Sequence, residues 1–278
     1  MPAPYARVAI LDMYDSHANQ GMRSILEIID TYSLKYDADI DYDVFNTRGK
    51  AEVPGLEYDV YISTGGPGSP LDSEGSLWEE RFFNLLNSIM QHNERYPVEK
   101  KSVFLICHSF QLFCRHYRLA NVSLRKSTSF GVMPMHKTEA GMHEPLFEHL
   151  PEPFWAVDSR DYQVTQPNLE RIKAMGGKVL CIEKFRPHVP LERAVMAIRF
   201  NDAIIGTQFH PEADPYGFLQ YLKTEEKKNL IIKQHGLQKY YDTLTHMNDP
   251  DKIVITHNTV LPRFLDMTIG ASSRVLVF

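Results

Sequence analysis

Cysteine is scarce in this chain of 278 residues. There are three, Cys107, Cys114 and Cys181, and no two are spaced as CxxC or CxxxC. That excludes a disulfide framework and a zinc knuckle, and it points to reduced thiols in a cytoplasmic setting. No run of about 18 apolar residues is present, so no membrane span is expected. The N-terminal MPAPYARVAILDMYD has no basic stretch ahead of a long apolar one, so no secretory leader is expected. Charge of one sign is missing too. Lys and Arg number 30 against 35 Asp and Glu, a net −5, which argues against nucleic acid or an anionic membrane as partner. The 12 histidines are scattered, with no HExxH, and neither a metal nor an organic cofactor is expected. Internal repeats and low-complexity segments are absent.

What is present is an ordinary globular composition, 43% hydrophobic and 23% charged, long enough to bury a sizeable core. Arg7 to Met13 reads as a buried strand. Ile25, Ile28, Ile29 and Tyr32 mark a helix face. Strands follow at Ile40 to Phe45 and at Tyr58 to Thr64, then an amphipathic helix from Leu77 to about His92. Val103 to Ile106 is a fully apolar strand, with a helix directly after it. This alternation predicts an α/β fold, a mostly parallel open sheet flanked by helices. From about Ser123 to Phe209 the texture turns to strands, with Asn201-Asp202 as a two-residue hairpin turn. Pro215 onward is helical again. Residues 1–223 are taken as the main domain and 224–278 as a helical extension, broken at Gly236 and at 248–251. Its apolar residues Leu230, Ile231, Tyr240, Tyr241 and Leu244 are expected to dock on the main domain. Lys227, Lys228, Lys233 and Lys239 with Glu225 and Glu226 read as a solvated face.

Three places carry chemistry. Cys107 falls between a strand and a helix. There the helix dipole and free amides favour a thiolate, and a sharp turn exposes the sulfur. A lone Cys is ordinarily a small buried hydrophobe, and that reading stands beside the nucleophile. His210 and Glu212 are two apart in QFHPE, so in extended chain they project to one side and the carboxylate can orient the imidazole. Pro211 biases His210 toward that geometry; an incidental surface pair is the plainer account. Gly65-Gly66-Pro67-Gly68 ends the third strand, and its amides can approach a ligand. The Gly66 and His108 N–H groups are assigned as an oxyanion pair. No Lys-Ser/Thr follows these glycines, which weakens a phosphate-cradle reading. By strand order the Gly turn and Cys107 both fall at strand C-termini, where ligands of parallel sheets bind.

These motifs, GGPGSP from Gly65, LICHSFQ from Leu105 to Gln111 and TQFHPE from Thr207 to Glu212, resemble the triad-type class I glutamine amidotransferases over about residues 6–222. The resemblance implies a flavodoxin-like sheet and a catalytic set of Cys107, His210 and Glu212. It implies Gln111 and Gly65 as substrate-binding residues, with glutamine or a γ-glutamyl compound as substrate. Stand-alone domains of this type are similar to the glutaminase half of GMP synthase, and a synthetase on another chain would take the ammonia, since no ATP-binding synthetase signature is visible here. A γ-glutamyl hydrolase with the same triad, or a non-catalytic module on this fold, are the alternatives.

The sequence departs from that family at two elbow glycines, which are Leu105 and Ser109 here. Leu105 is expected to crowd the elbow, and it is the support for the non-catalytic alternative. His108 could titrate, although its N–H is expected to matter more than its ring. VDSRDY, Val157 to Tyr162, falls where the family often has His-Ser. Arg160 is taken as a substrate-binding residue, with a surface Arg160–Asp161 ion pair as the duller account.

Overall fold

The computed structural model describes residues 5–15, 17, 19–188, 190–247, 249 and 252–270. The side chains of Glu226, Lys227, Leu230 and Lys239, and residues 248, 250 and 251, lie outside the described set. In chain order the first half comprises β1 (Tyr5–Leu11), α1 (Gln20–Tyr36), β2 (Asp39–Phe45), α2 (Thr47–Lys50), β3 (Val60–Ser63), α3 (Leu77–Arg95), β4 (Ser102–Ile106) and α4 (His108–His116). The second half comprises β5 (Asn121–Lys137), α5 (Glu139–Met142), β6 (Phe154–Thr165), α6 (Leu169–Ala174), β7 (Lys178–Glu183), β8 (Val195–Arg199) and β9 (Ile204–Thr207). It ends in α7 (Pro215–Lys223), α8 (Glu225–His235), α9 (Leu237–Met247) and α10 (Ile253–Leu265).

The strands form one nine-stranded sheet in the order β2-β1-β3-β4-β9-β8-β7-β5-β6. From β2 to β9 every pairing is parallel, and from β9 to β6 every pairing is antiparallel. Within the parallel half the inner strands β3, β4 and β9 and most of β1 are buried and read as apolar runs, whereas the edge strand β2 is largely exposed. In β1, Val8 and Ile10 pack under Ile25 and Ile28 of α1. Ala9 and Leu11 point the other way, toward Phe82 and Leu86 of α3. In β4, Phe104 and Ile106 share the first face, while Val103 and Leu105 share the second. The registers Leu11↔Ser63, Ser63↔Leu105 and Ile106↔Thr207 bring the C-terminal ends of β1, β3, β4 and β9 to one edge.

The β8–β9 connection is longer than the expected two-residue turn. It runs from Phe200 to Ala203, closed by Phe200 N–H to the Ile204 carbonyl at 2.8 Å. Asn201 causes this, because its side-chain oxygen accepts the Ala203 and Ile204 amides at 2.9 and 2.8 Å and so caps a wider loop.

The C-terminal helices separate into two roles. Ile231 of α8 and Tyr240 of α9 join Phe130, Val132, Val157 and Phe218 in a small core over β5 and β6. Helix α10 lies instead in the principal core, where Val260, Leu261, Phe264 and Leu265 pack with α1. The Phe264 ring meets Phe104 of β4 edge-on at 5.1 Å. Among the described residues no helix is long and apolar enough to cross a membrane. Because α10 is part of the principal core, Phe264→Ala is expected to cost about 3–5 kcal/mol in urea unfolding. A change near zero would remove α10 from that core.

Candidate active site

The turn at Cys107 is strained and clamped. Its backbone sits at φ 46°, ψ −94°, a left-handed conformation that a side chain disfavours. Such a residue stores about 1–3 kcal/mol and persists when its surroundings over-determine it. Here the Cys107 N–H finishes the β4 ladder on the Thr207 carbonyl at 2.7 Å, and the Cys107 carbonyl opens α4 by accepting the Gln111 N–H at 2.9 Å. Ser109 takes the place of a small elbow residue and adds a bond of its own. Its hydroxyl accepts the Ile106 N–H at 2.9 Å and donates to the Ser63 carbonyl, also at 2.9 Å.

The expected crowding by Leu105 is relieved one strand away. Leu105 points into the core under α4, and its partner across the ladder on β9 is Gly206. A Cβ on Gly206 would lie 2.8 Å from the Phe110 ring and 3.2 Å from Leu105 Cβ. The space a glycine at 105 would have left is supplied by a glycine at 206.

His210 is held from both sides. Its N–H donates to the Val157 carbonyl at 2.9 Å, pinning it to β6, and its Nδ1 lies 2.8 Å from Glu212 Oε1. Burial alone would push its pKa down. The Glu212 carboxylate and the hydrogen-bonded Cys107 thiol outweigh that and hold it well above the usual imidazole value. Glu212 is buried, and its backbone carbonyl accepts from the Ser24 hydroxyl and faces His257 Nδ1 of α10 at 3.0 Å. Thus α1 and α10 both brace the segment that presents the carboxylate.

The glycine turn lies under these groups. A Cβ on Gly65 would come 2.9 Å from His210 Cε1, and one on Gly66 would meet the Met13 carbonyl at 2.3 Å. Gly65 therefore makes room for the imidazole and does not itself line the cavity, whereas Gly66 does. The His108 amide is the first of α4 and has no residue within the helix to which to donate. Its ring is elsewhere. It is buried, neither nitrogen has a hydrogen-bond partner among the described residues, and burial, then Arg48 and Arg115, lower its pKa to about 3.

Cys107, His210, Glu212 and Gly66 line a cavity of about 930 Å³. Gln111 is in its wall, with Nε2 donating to the Tyr162 carbonyl at 3.3 Å. Arg160 is there too, but buried. Its Nε donates to Asp158 at 2.8 Å, its Nη1 to the Tyr162 carbonyl at 3.1 Å, and its Nη2 lies 3.6 Å from Glu183. This corrects the expected surface pair, since Arg160 pairs with Asp158 while Asp161 accepts from the Thr128 hydroxyl at 2.5 Å. The register of β6 decides it: residues two apart share a face, so 158 and 160 meet and 160 and 161 do not.

Three further residues serve the site. Gln208 Nε2 approaches Cys107 Sγ at 3.9 Å. Tyr14 lies with its hydroxyl 3.1 and 3.3 Å from where Cβ atoms of Gly21 and Gly65 would be. Burial, Glu212 and Cys107 push its pKa well up, so it remains a proton donor. Arg48 of α2 donates to the Pro67 carbonyl and, at 3.4 Å, to that of Met13, bracing the glycine turn. No sequence pattern marks Tyr14, on the loop between β1 and α1, or Arg48, on the connection from β2 to β3.

The model of the family "Glutamine amidotransferase class-I" matches residues 10–225, most of the chain. The chain belongs to the class I glutamine amidotransferase family. Comparison with curated protein sequences found no match. Among solved structures, a glutamine amidotransferase from Thermotoga maritima is similar at TM-score 0.67 and 14% identity, over 95% of this chain and 98% of that one. The glutaminase domain of CTPS from Trypanosoma brucei, with bound acivicin, gives TM-score 0.55 and 14% identity over 74% and 86%. A glutamine amidotransferase from Methylobacillus flagellatus gives TM-score 0.60 and 11% identity over 98% and 95%. At such identities the likeness speaks to fold.

In this family member, Gly206→Ala is expected to push Phe110 and Leu105 into the elbow at a cost of about 1–3 kcal/mol. Chemical denaturation together with the rate of Cys107 alkylation measures it, and unaltered values for both would show that Gly206 is not needed. His108 supplies a pH test. Folded, it stays neutral down to about pH 3; unfolded, it takes up a proton near ~6.5. Between those values the unfolded state binds more protons, so stability falls as pH drops from about 6.5 toward about 3. His108→Leu should flatten that limb of an acid-unfolding curve followed by circular dichroism. An unchanged slope would assign the limb to other groups.

Proposed function

We propose that the protein is a cysteine-dependent glutaminase that releases ammonia from the side-chain amide of glutamine for a synthetase on another chain. One observation carries this reading. A sulfur on a left-handed elbow faces one cavity together with an imidazole whose Nδ1 is 2.8 Å from a buried carboxylate. The raised basicity of His210 favours an imidazolium, the form that can protonate a departing nitrogen, and a thiolate is the form in which a cysteine is nucleophilic.

The steps follow from these groups. The thiolate attacks the amide carbon, and the Gly66 and His108 amides receive the developing oxyanion, each worth about 3 kcal/mol. Imidazolium His210 gives its proton to the departing nitrogen, the C–N bond breaks, and ammonia leaves a glutamyl thioester on Cys107. Water then loses a proton to His210 and attacks the thioester carbon; the C–S bond breaks, releasing glutamate and the thiolate. Glu212 holds the tautomer of His210, and Gln208 steadies the sulfur. Gln111 shapes the glutamyl side, Arg160 stiffens that wall through Asp158, and Gly65 acts on the substrate indirectly, by seating the His210 imidazole. Residues 1–223 are the domain to which this machinery is assigned, and of the described residues beyond 223, Thr224 and Ile231 line its cavity. Three free, buried thiols suit a reducing cytoplasm.

A second reading, γ-glutamyl amide hydrolysis without a partner, is favoured by the extent of the cavity beyond His210. The non-catalytic alternative loses its motive, because Gly206 accommodates Leu105.

Cys107→Ala is expected to lower ammonia and glutamate release from glutamine by roughly 10³-fold or more. Acivicin, the compound bound in the T. brucei glutaminase domain, should form an adduct at Cys107 detectable by peptide mass spectrometry. Labelling at Cys114 or Cys181 instead would overturn the site. Glu212→Gln removes the main cause that raises the His210 pKa, so the imidazole should titrate lower by NMR and turnover should fall about 10²-fold or more.

A further inference from the structure

The cavity is large for glutamine. At about 930 Å³ it is near the top of the range, roughly 300–1,000 Å³, that holds drug-sized ligands. Chemistry divides it in two. The proton passes from His210 to the departing nitrogen, so anything attached to that nitrogen lies on the His210 side. The glutamyl portion lies on the opposite side, toward Gln111 and Tyr162. Beyond His210 the chain continues into Ala213, Asp214 and α7, and these residues wall the leaving-group side.

That wall is aromatic. Phe130 of β5 and Phe218 of α7 have ring centroids 5.7 Å apart; Phe130 and Tyr221 are 6.2 Å apart, and Phe218 stacks on Tyr221 at 6.3 Å. Ile231 of α8 adds an aliphatic surface. Ammonia needs no such chamber, and apolar rings beside a proton donor are what an apolar amine would fill.

Its charges narrow the amine further. Asp214 is the charged side chain of this wall, and it is already engaged by Arg23 at 2.5 Å and by the Gly217 N–H at 2.9 Å. The described cavity residues include a single Lys or Arg, Arg160, which is on the glutamyl side and bound to Asp158. An amine bearing a carboxylate, such as an amino acid, finds no cation here. A diamine meets no unpaired carboxylate on this wall; Asp161, which accepts the Thr128 hydroxyl, lies between Arg160 and Tyr162 on the glutamyl side.

We propose that this wall is a leaving-group subsite for an uncharged aromatic or apolar primary amine, so that the protein cleaves γ-glutamyl derivatives of such amines in preference to glutamine. The proposal rests on the Cys107–His210 chemistry above and specifies its substrate class. The balance is unchanged: Cys107 forms the C–S bond as the C–N bond breaks, and His210 protonates the amine. Water then hydrolyses the thioester to glutamate, giving one amine and one glutamate per water consumed.

The test is kcat/KM of the full chain on glutamine, γ-glutamylbenzylamide, γ-glutamylglycine and γ-glutamylputrescine, read as glutamate release. The benzylamide is expected to exceed the other three by roughly tenfold or more. Phe218→Ala should lower the benzylamide value about tenfold further than the glutamine value, and Phe218→Leu should restore part of the difference. Because both rates come from one preparation, partial misfolding lowers them equally and leaves their ratio untouched. Glutamine equal to or better than the benzylamide would overturn the proposal while leaving the glutaminase reading intact, as would preference for either charged amide or an unchanged ratio in Phe218→Ala. No hydrolysis of any of the four, or full hydrolysis by Cys107→Ala, would overturn both.

Discussion

The left-handed backbone at Cys107 is the constraint on which the site depends. A strand cannot pass into a helix without losing backbone hydrogen bonds unless the junction residue bends sharply, and here that residue carries the thiol. Three contacts hold the bend: the Cys107 amide on Thr207, the Gln111 amide on Cys107, and the Ser109 hydroxyl spanning Ile106 and Ser63. The last ties β4 to β3, so the elbow and the glycine turn move as one piece. The Gly66 and His108 amides belong to these two turns, which the same clamp joins.

Packing around the elbow is a matter of exchange between strands. A bulky Leu105 in a tight turn is tolerated because its neighbour across the ladder is Gly206, and Phe110 of α4 settles into the resulting space. Close-packed interiors permit such exchanges where total volume is kept. The same logic places Gly65 beneath the His210 imidazole and Gly21 beside Tyr14. Glycines here mark where a cavity-lining side chain lies against the backbone.

The C-terminal helices belong to the function as much as to the fold. α10 sits in the principal core and reaches the Glu212 carbonyl through His257, so the carboxylate that orients His210 is steadied from the end of the chain. α8 supplies Ile231 to the cavity and, with α7, turns an open edge of the sheet into a walled chamber. Ligand-binding edges of parallel sheets are generic; what distinguishes this one is the aromatic wall that α7 and β5 build on it.

Much of this was legible along the chain, because the signals were local. The continuous apolar runs of β1, β3 and β4, the strand-to-helix junction at Cys107, and the two-residue spacing of His210 and Glu212 are each set by a handful of neighbouring residues. The alternative Arg160–Asp161 pair was misjudged because neighbours along a strand point to opposite faces, so Arg160 meets Asp158 instead. The hairpin at Asn201 was misread because a side chain competing for backbone amides leaves no periodic trace. Tyr14, Arg48, the service of Gly206 to Leu105 and the brace from His257 were beyond reach, since each joins residues far apart in sequence. By itself the sequence determined the order of elements and the candidate residues of the site, Cys107, His210 and Glu212, through propensity and spacing over a few residues. Only the tertiary structure decided the geometry and protonation of those groups and the shape of the chamber they face, because those depend on burial and on long-range contacts that no local pattern encodes.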